Sequence, residues 1–213
     1  MGARCGKQKP GGNGCGAMIL RVQSGPQRVK LLETHMWKAL LALAAVLAAD
    51  PEESFSLTLG GPALIFALPA VNEAAAIDMV RKPVVTLNEI TGIKPSYPSN
   101  GVVLYFFQRA NGADVLKDLN GLARKYRSDK VRMLGICIDD TPPEELRTWI
   151  DPLKLDYPIL SDNFRIVSER YGVKATPTIV VVDGAGYVYS AGAPAPSEVA
   201  STLVEQLGGL LKK

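Results

Sequence analysis

The chain has 213 residues, enough for one domain plus a leader, and its composition, 47% apolar and 7% aromatic, is that of an ordinary soluble core. The net charge of +3 misleads: seven of the 24 Lys/Arg and one of the 21 Asp/Glu precede Asp50, leaving 17 bases against 20 acids, about −3, beyond it. That balance excludes nucleic acid as a partner. The only histidine, His35, lies in the leader, so residues 50–213 can build no Ser-His-Asp triad, Cys-His dyad or histidine-ligated metal site. Cys5 and Cys15 also lie in the leader, so the body holds Cys137 alone and forms no internal disulfide. No cofactor is expected.

Residues 1–35 are rich in Gly, Lys and Arg without sustained periodicity. Cys5 and Cys15, nine residues apart with no second pair, make a weak metal or disulfide motif. The segment reads as a disordered tail or, preferably, as a start assigned too far upstream. Met36-Trp37-Lys38, the apolar run Ala39–Ala49 and then Asp50-Pro51-Glu52-Glu53 form a positive n-region, an h-region and small residues around Ala48. With 11 apolar residues the run is shorter than the roughly 20 that span a membrane. A signal peptide over 36–49 follows, with a periplasmic or secreted mature chain and no membrane span after cleavage. No cysteine follows the h-region, so a lipid anchor is not supported.

Residues 50–82 form an N-terminal extension. Phe55–Leu59 alternates, Gly60-Gly61-Pro62 breaks, and Ala63–Leu68 is apolar, which predicts a hairpin or two edge strands. Glu73–Met79 predicts one or two helical turns. From Pro83, Val84-Val85-Thr86-Leu87-Asn88-Glu89-Ile90-Thr91-Gly92 is a short strand ending at a glycine, and 93–101 is a loop. Val102–Phe107, apolar throughout, predicts a fully buried parallel strand. A helix over 114–127 presents Val115, Leu119, Leu122 and Tyr126 on one face. Val131–Ile138 is a second core strand. Thr141-Pro142-Pro143-Glu144 has capping-box spacing with proline at the first helical position, and the helix behind it carries Leu146, Trp149, Ile150 and Leu153. Tyr157–Asp162 is extended and Asn163–Tyr171 helical. The run Thr178–Val182, entered from Thr176-Pro177 and left through Asp183-Gly184-Ala185-Gly186, is a buried strand paired with Tyr187–Ala191. A proline at such a strand entrance is a good setting for a cis peptide bond. A last helix, with Ser197 as N-cap, presents Val199, Leu203, Leu207 and Leu210.

The stretch Lys174–Gly186, with Tyr157–Asp162 and Arg170–Val173 upstream and Val84–Gly92 as entry segment, resembles the redoxin branch of the thioredoxin-like superfamily, the TlpA-like disulfide reductases and the AhpC/TSA-like peroxiredoxins. The resemblance covers about 83–213. It implies an α/β thioredoxin-like fold, a central mixed sheet flanked by helices, behind the N-terminal extension. It also implies a cis-proline facing a catalytic cysteine, delivered by the strand at 102–107 to the next helix N-terminus. There roughly half a positive charge lowers a cysteine pKa from about 8.5, and the thiolate attacks a disulfide or a peroxide.

That place is occupied by Gln108, Arg109, Ala110, Asn111 and Gly112, and no cysteine occurs from 16 to 136. Strand 102–107 carries no carboxylate to serve as a base either. Cys137, in Gly135-Ile136-Cys137-Ile138, reads as a packed small hydrophobe. Thr176 and Pro177 read equally as a groove for an extended peptide and as an architectural turn. Arg109 and Asn111 are ligand donors or merely solvated, and Trp149 at helical spacing is core. The reading is an exported redoxin-family protein without catalytic cysteines that binds a protein or extended peptide. The alternatives are a thiol-disulfide oxidoreductase or peroxidase acting through Cys137 or an unrecognised group, and a structural accessory whose segment 50–82 makes the interaction.

Overall fold

The structure, a computed structural model, describes residues 57–212. The tail 1–35 with Cys5, Cys15 and His35, the signal peptide 36–49, and Phe55 of the alternating run lie outside the described residues.

Strand β3 (Gly101–Phe107) is the centre of the fold and is buried at all seven positions. A strand without outward polar residues needs cover on both faces and partners on both edges. β4 (Val131–Cys137) pairs with it in parallel, and β6 (Thr178–Asp183) antiparallel. β5 (Ile159–Ser161) extends the sheet beyond β4, and β7 (Val188–Gly192) beyond β6, giving the order β5-β4-β3-β6-β7. Val102, Leu104 and Phe106 feed one core; Val103, Tyr105 and Phe107 feed the other. The second core is closed by α2 (Ala113–Lys125), α3 (Pro143–Ile150) and α5 (Val199–Leu210) through Leu116, Leu119, Leu146, Ile150, Val199, Leu203 and Leu207. The first is closed by α4 (Ile166–Arg170), by α1 (Glu73–Val80) and by the chain before and after β2 (Val84–Thr86), through Phe66, Ala76, Val80, Leu87 and Val167. This is the expected mixed sheet flanked by helices.

Several local expectations change. The hairpin between 55–59 and 63–68 does not form among the described residues. β1 (Ala67–Pro69) pairs antiparallel with β2 instead, and Ala70 bridges to Leu160. Residues 60–63 run along the opposite sheet edge, where the Gly60 N–H donates to the Val188 carbonyl at 2.8 Å and Pro62 bridges to Tyr187. A left-handed Gly60 (φ 76°) lies in the turn that brings the chain into the 60–63 run, where the Gly61 N–H donates to the Thr58 carbonyl at 2.9 Å.

Helix α2 begins at Ala113, and its inner face is Leu116, Leu119 and Asn120, with Val115 and Leu122 only partly buried. Asn120 is tolerated inside because its amide bonds the Lys154 carbonyl at 3.4 Å and the Asp156 N–H at 2.7 Å. The Thr141 capping box is absent: Pro142 is the N-cap of α3 and Pro143 its first residue. Only Ile166–Arg170 of the 163–171 stretch is helical, since Arg165 takes a left-handed φ of 58°. A 3-10 turn, Pro196–Glu198, holds Ser197, and α5 starts after it with no side-chain cap.

Candidate functional site

The site is built where β3 ends. Gln108 continues the extended backbone, Arg109–Asn111 make one 3-10 turn, and Gly112 at φ 95° redirects the chain into α2. Only glycine takes that φ without strain. The pairing of Phe106 with Thr178 places residues 176 and 177 alongside this loop, and the Thr176-Pro177 peptide is cis.

Four hydrogen bonds hold loop and proline turn together. Asn111 Oδ1 accepts the Gln108 N–H at 2.8 Å, and the Asn111 N–H donates to the Gln108 carbonyl at 2.9 Å. Asn111 Nδ2 donates to the Thr176 carbonyl at 3.3 Å, and the Thr176 hydroxyl donates to Gln108 Oε1 at 2.9 Å. Gln108, Asn111 and Thr176 are half-buried, Pro177 is buried and Ala110 is exposed. The sequence-identified positions are therefore brought together, with the polar side chains of Gln108, Asn111 and Thr176 directed at one another.

Arg109 points to the other side. Its N–H donates to Asp139 Oδ2 at 2.7 Å, its Nε lies 3.6 Å from the same oxygen, and Nη1 meets Glu145 Oε1 at 2.7 Å. Asp139 and Glu145 are missed by the sequence reading, which looked for a carboxylate inside strand 102–107. The available signal was Asp139-Asp140 at the exit of the neighbouring parallel strand.

Cys137 pairs in register with Phe107, close to the site, yet is 0% exposed, with Sγ 3.8 Å from Asp139 Oδ2. Burial pushes its thiol from 9.0 up to about 12; the Asp139 charge adds to the rise while Arg109 and a backbone hydrogen bond oppose it. At neutral pH it is a protonated thiol within the second core. Trp149 packs on Phe107, which stacks on Tyr105, so it is a half-buried side chain resting against the second core. Among the described residues no cluster of three His, Cys, Asp or Glu is placed to hold a metal ion, and no helix is long and apolar enough to cross a membrane.

Comparison with known proteins agrees with this architecture. A thiol:disulfide interchange protein described as DsbE, from Chlorobium tepidum, superposes with a TM-score of 0.60 at 21% identity, covering 73% of this chain and 99% of its own. Peroxidoxin BcpB from Mycobacterium tuberculosis gives 0.56 at 20% identity, with 72% and 97% covered. A thiol-disulfide oxidoreductase from Bacteroides fragilis gives 0.52 at 17%, with 68% and 98% covered. At these identities the likeness shows the thioredoxin fold alone. No curated protein sequence matches the chain. The model of the AhpC/TSA family matches residues 82–191, which span β2 to β7 and include both the 108–112 loop and the cis-proline turn, and the chain belongs to that family.

Proposed function

We propose that this is an exported AhpC/TSA-family protein that binds a protein or an extended peptide and performs no thiol chemistry. One observation carries the reading: where the fold delivers a strand to a helix N-terminus beside the cis-proline, a clamp of Gln108, Asn111 and Thr176 stands and no sulfur does. The nearest thiol, Cys137, is fully buried and protonated at neutral pH, which disfavours the enzymatic alternative. A peptide strand docking beside Pro177 competes with the Asn111 amide for the Thr176 carbonyl, so Asn111→Ala is expected to tighten peptide binding.

The test is turnover. Purified protein should neither reduce insulin disulfides nor consume peroxide above background; turnover that survives Cys137→Ala would overturn the non-catalytic reading. Export rests on the h-region at 39–49. N-terminal sequencing of exported protein should find a terminus near Ala49 or Asp50, and an intact Met1 or Met36 would refute it.

A further inference from the structure

At the end of the sheet opposite the proline loop, where Asp183 pairs with Gly101, three stretches of chain enclose a cavity of about 380 Å³. They are residues 62–65, the stretch 87–94 that follows β2, and the β6–β7 turn at 185–187. Backbone hydrogen bonds fix these walls. The Ala63 N–H donates to the Gly186 carbonyl at 2.8 Å, the Leu87 N–H to the Phe66 carbonyl at 3.1 Å, and the Gly92 N–H to the Gly184 carbonyl at 3.1 Å. Two walls meet at glycines, where a Cβ on Gly186 would lie 3.2 Å from the Gly92 Cα. Residues 62–65 lie outside the 82–191 stretch matched by the AhpC/TSA model, so one wall is supplied by the N-terminal extension.

The lining is apolar and open to solvent. Ile93 is 97% exposed, Ile65 58% and Tyr187 48%, and the buried Leu87 lies among them. Apolar side chains scattered singly over a surface need no explanation, but a group of them around one concavity marks a binding site. Lys94 is the only charged residue of the lining, and among the described residues it has no ion-pair partner. Glu89 and Asp183, the acids closest in sequence to the lining stretches, are engaged: Glu89 meets Lys82 at 2.6 Å, and Asp183 Oδ1 accepts the Tyr187 N–H at 2.8 Å. Asn88, also exposed, adds an amide to the lining. An apolar cavity of this size with a few polar groups has the composition of a small-molecule site, and its single cation favours an anion.

We propose that this cavity binds an amphipathic monocarboxylate of the fatty-acid type. The aliphatic chain lies against Ile65, Leu87, Ile93 and Tyr187, and the carboxylate accepts from the Lys94 ammonium and the Asn88 amide. A lysine suits that position because its stem covers apolar surface while its head stays at the water boundary, which is where such a ligand carries its charge.

The experiment is a titration of the full chain with decanoate below its micelle concentration, following backbone amide resonances by NMR. Saturable shifts are expected at Gly92, Ile93, Gly186 and Tyr187, and the affinity should fall as salt is raised. Lys94→Gln should weaken decanoate binding about fivefold, the scale of a solvent-exposed ion pair, and leave decanol binding unchanged; Lys94→Arg should retain most of the decanoate affinity. Lys94 is exposed, and an unchanged far-UV circular dichroism spectrum establishes that its variants fold. No saturable shift at these amides overturns the proposal, as does equal affinity for decanoate, decanol and decylammonium. Two further results would assign the cavity to another occupant and overturn it as well. One is a concentration-dependent shift of the same amides without decanoate, which names a second copy of the chain. The other is a set of nuclear Overhauser contacts from residues 1–56 to Ile93 and Tyr187 in the ligand-free protein, which names the chain's own N-terminal segment.

Discussion

Asn111→Ala tests whether the clamp is a structural unit. The substitution removes the acceptor of the Gln108 N–H at 2.8 Å and the donor to the Thr176 carbonyl at 3.3 Å. Each neutral hydrogen bond contributes about 1 kcal/mol net, less for the longer one, and a half-buried group left unpaired adds to the loss. The expected cost is about 1.5–2 kcal/mol, a sizeable part of the roughly 5–15 kcal/mol that holds a domain folded. With a urea m-value of about 2 kcal/mol/M, the unfolding midpoint followed by far-UV circular dichroism should fall by about 0.8–1 M. Thr176→Val, which removes the hydroxyl donated to Gln108, should be non-additive with it by about 0.5 kcal/mol or more, because the two share one network. A midpoint shift below about 0.2 M would refute the clamp, as would strict additivity of the pair.

Two glycines mark close approaches of different hardness. A Cβ on Gly184 would lie 2.6 Å from the Ser99 backbone oxygen, whereas on Gly135 it would lie 2.5 Å from the end of the Ile159 side chain. Both alanine variants should lose about 1–3 kcal/mol, with Gly184→Ala the worse because backbone cannot rotate away; the reverse order in thermal unfolding would contradict this. Cys137 should leave its mark at alkaline pH. Its folded pKa, about 12, lies above the ordinary 9.0, so the stability it contributes is complete below pH 9 and is lost as pH rises from there towards 12, by about 1.4 kcal/mol per pH unit. Cys137→Ala should cost about 1–2 kcal/mol at pH 7 and flatten the decline just above pH 9. An unchanged slope, or rapid alkylation of the folded wild type at pH 8, would show the thiol to be accessible.

Residues 83–213 carried the fold in their local patterns. The unbroken apolar runs at 102–107 and 178–182 required a sheet covered on both faces, and the Thr-Pro entrance with its Asp-Gly-Ala-Gly exit placed the cis-proline turn and the β6–β7 connection. Such signals are legible because the period of side chains along one strand or helix records which face is buried. The gathering of 108–112 beside Thr176-Pro177 was legible only through the family resemblance, and the absence of cysteine there could be read directly from the chain.

What tertiary structure alone decided is the pairing between residues distant in sequence. Asn111 reaches a carbonyl 65 positions away, Arg109 reaches carboxylates 30 and 36 positions away, and Ala67 pairs with Thr86 in place of a local hairpin. The face of α2 likewise depends on which neighbours satisfy Asn120. Arg132 is a further case: in sequence it is one more base in a charged run, whereas the fold buries its Nε without a hydrogen-bond partner among the described residues. Propensity and periodicity act within one element, whereas a polar side chain's partner is set by the topology that brings elements together.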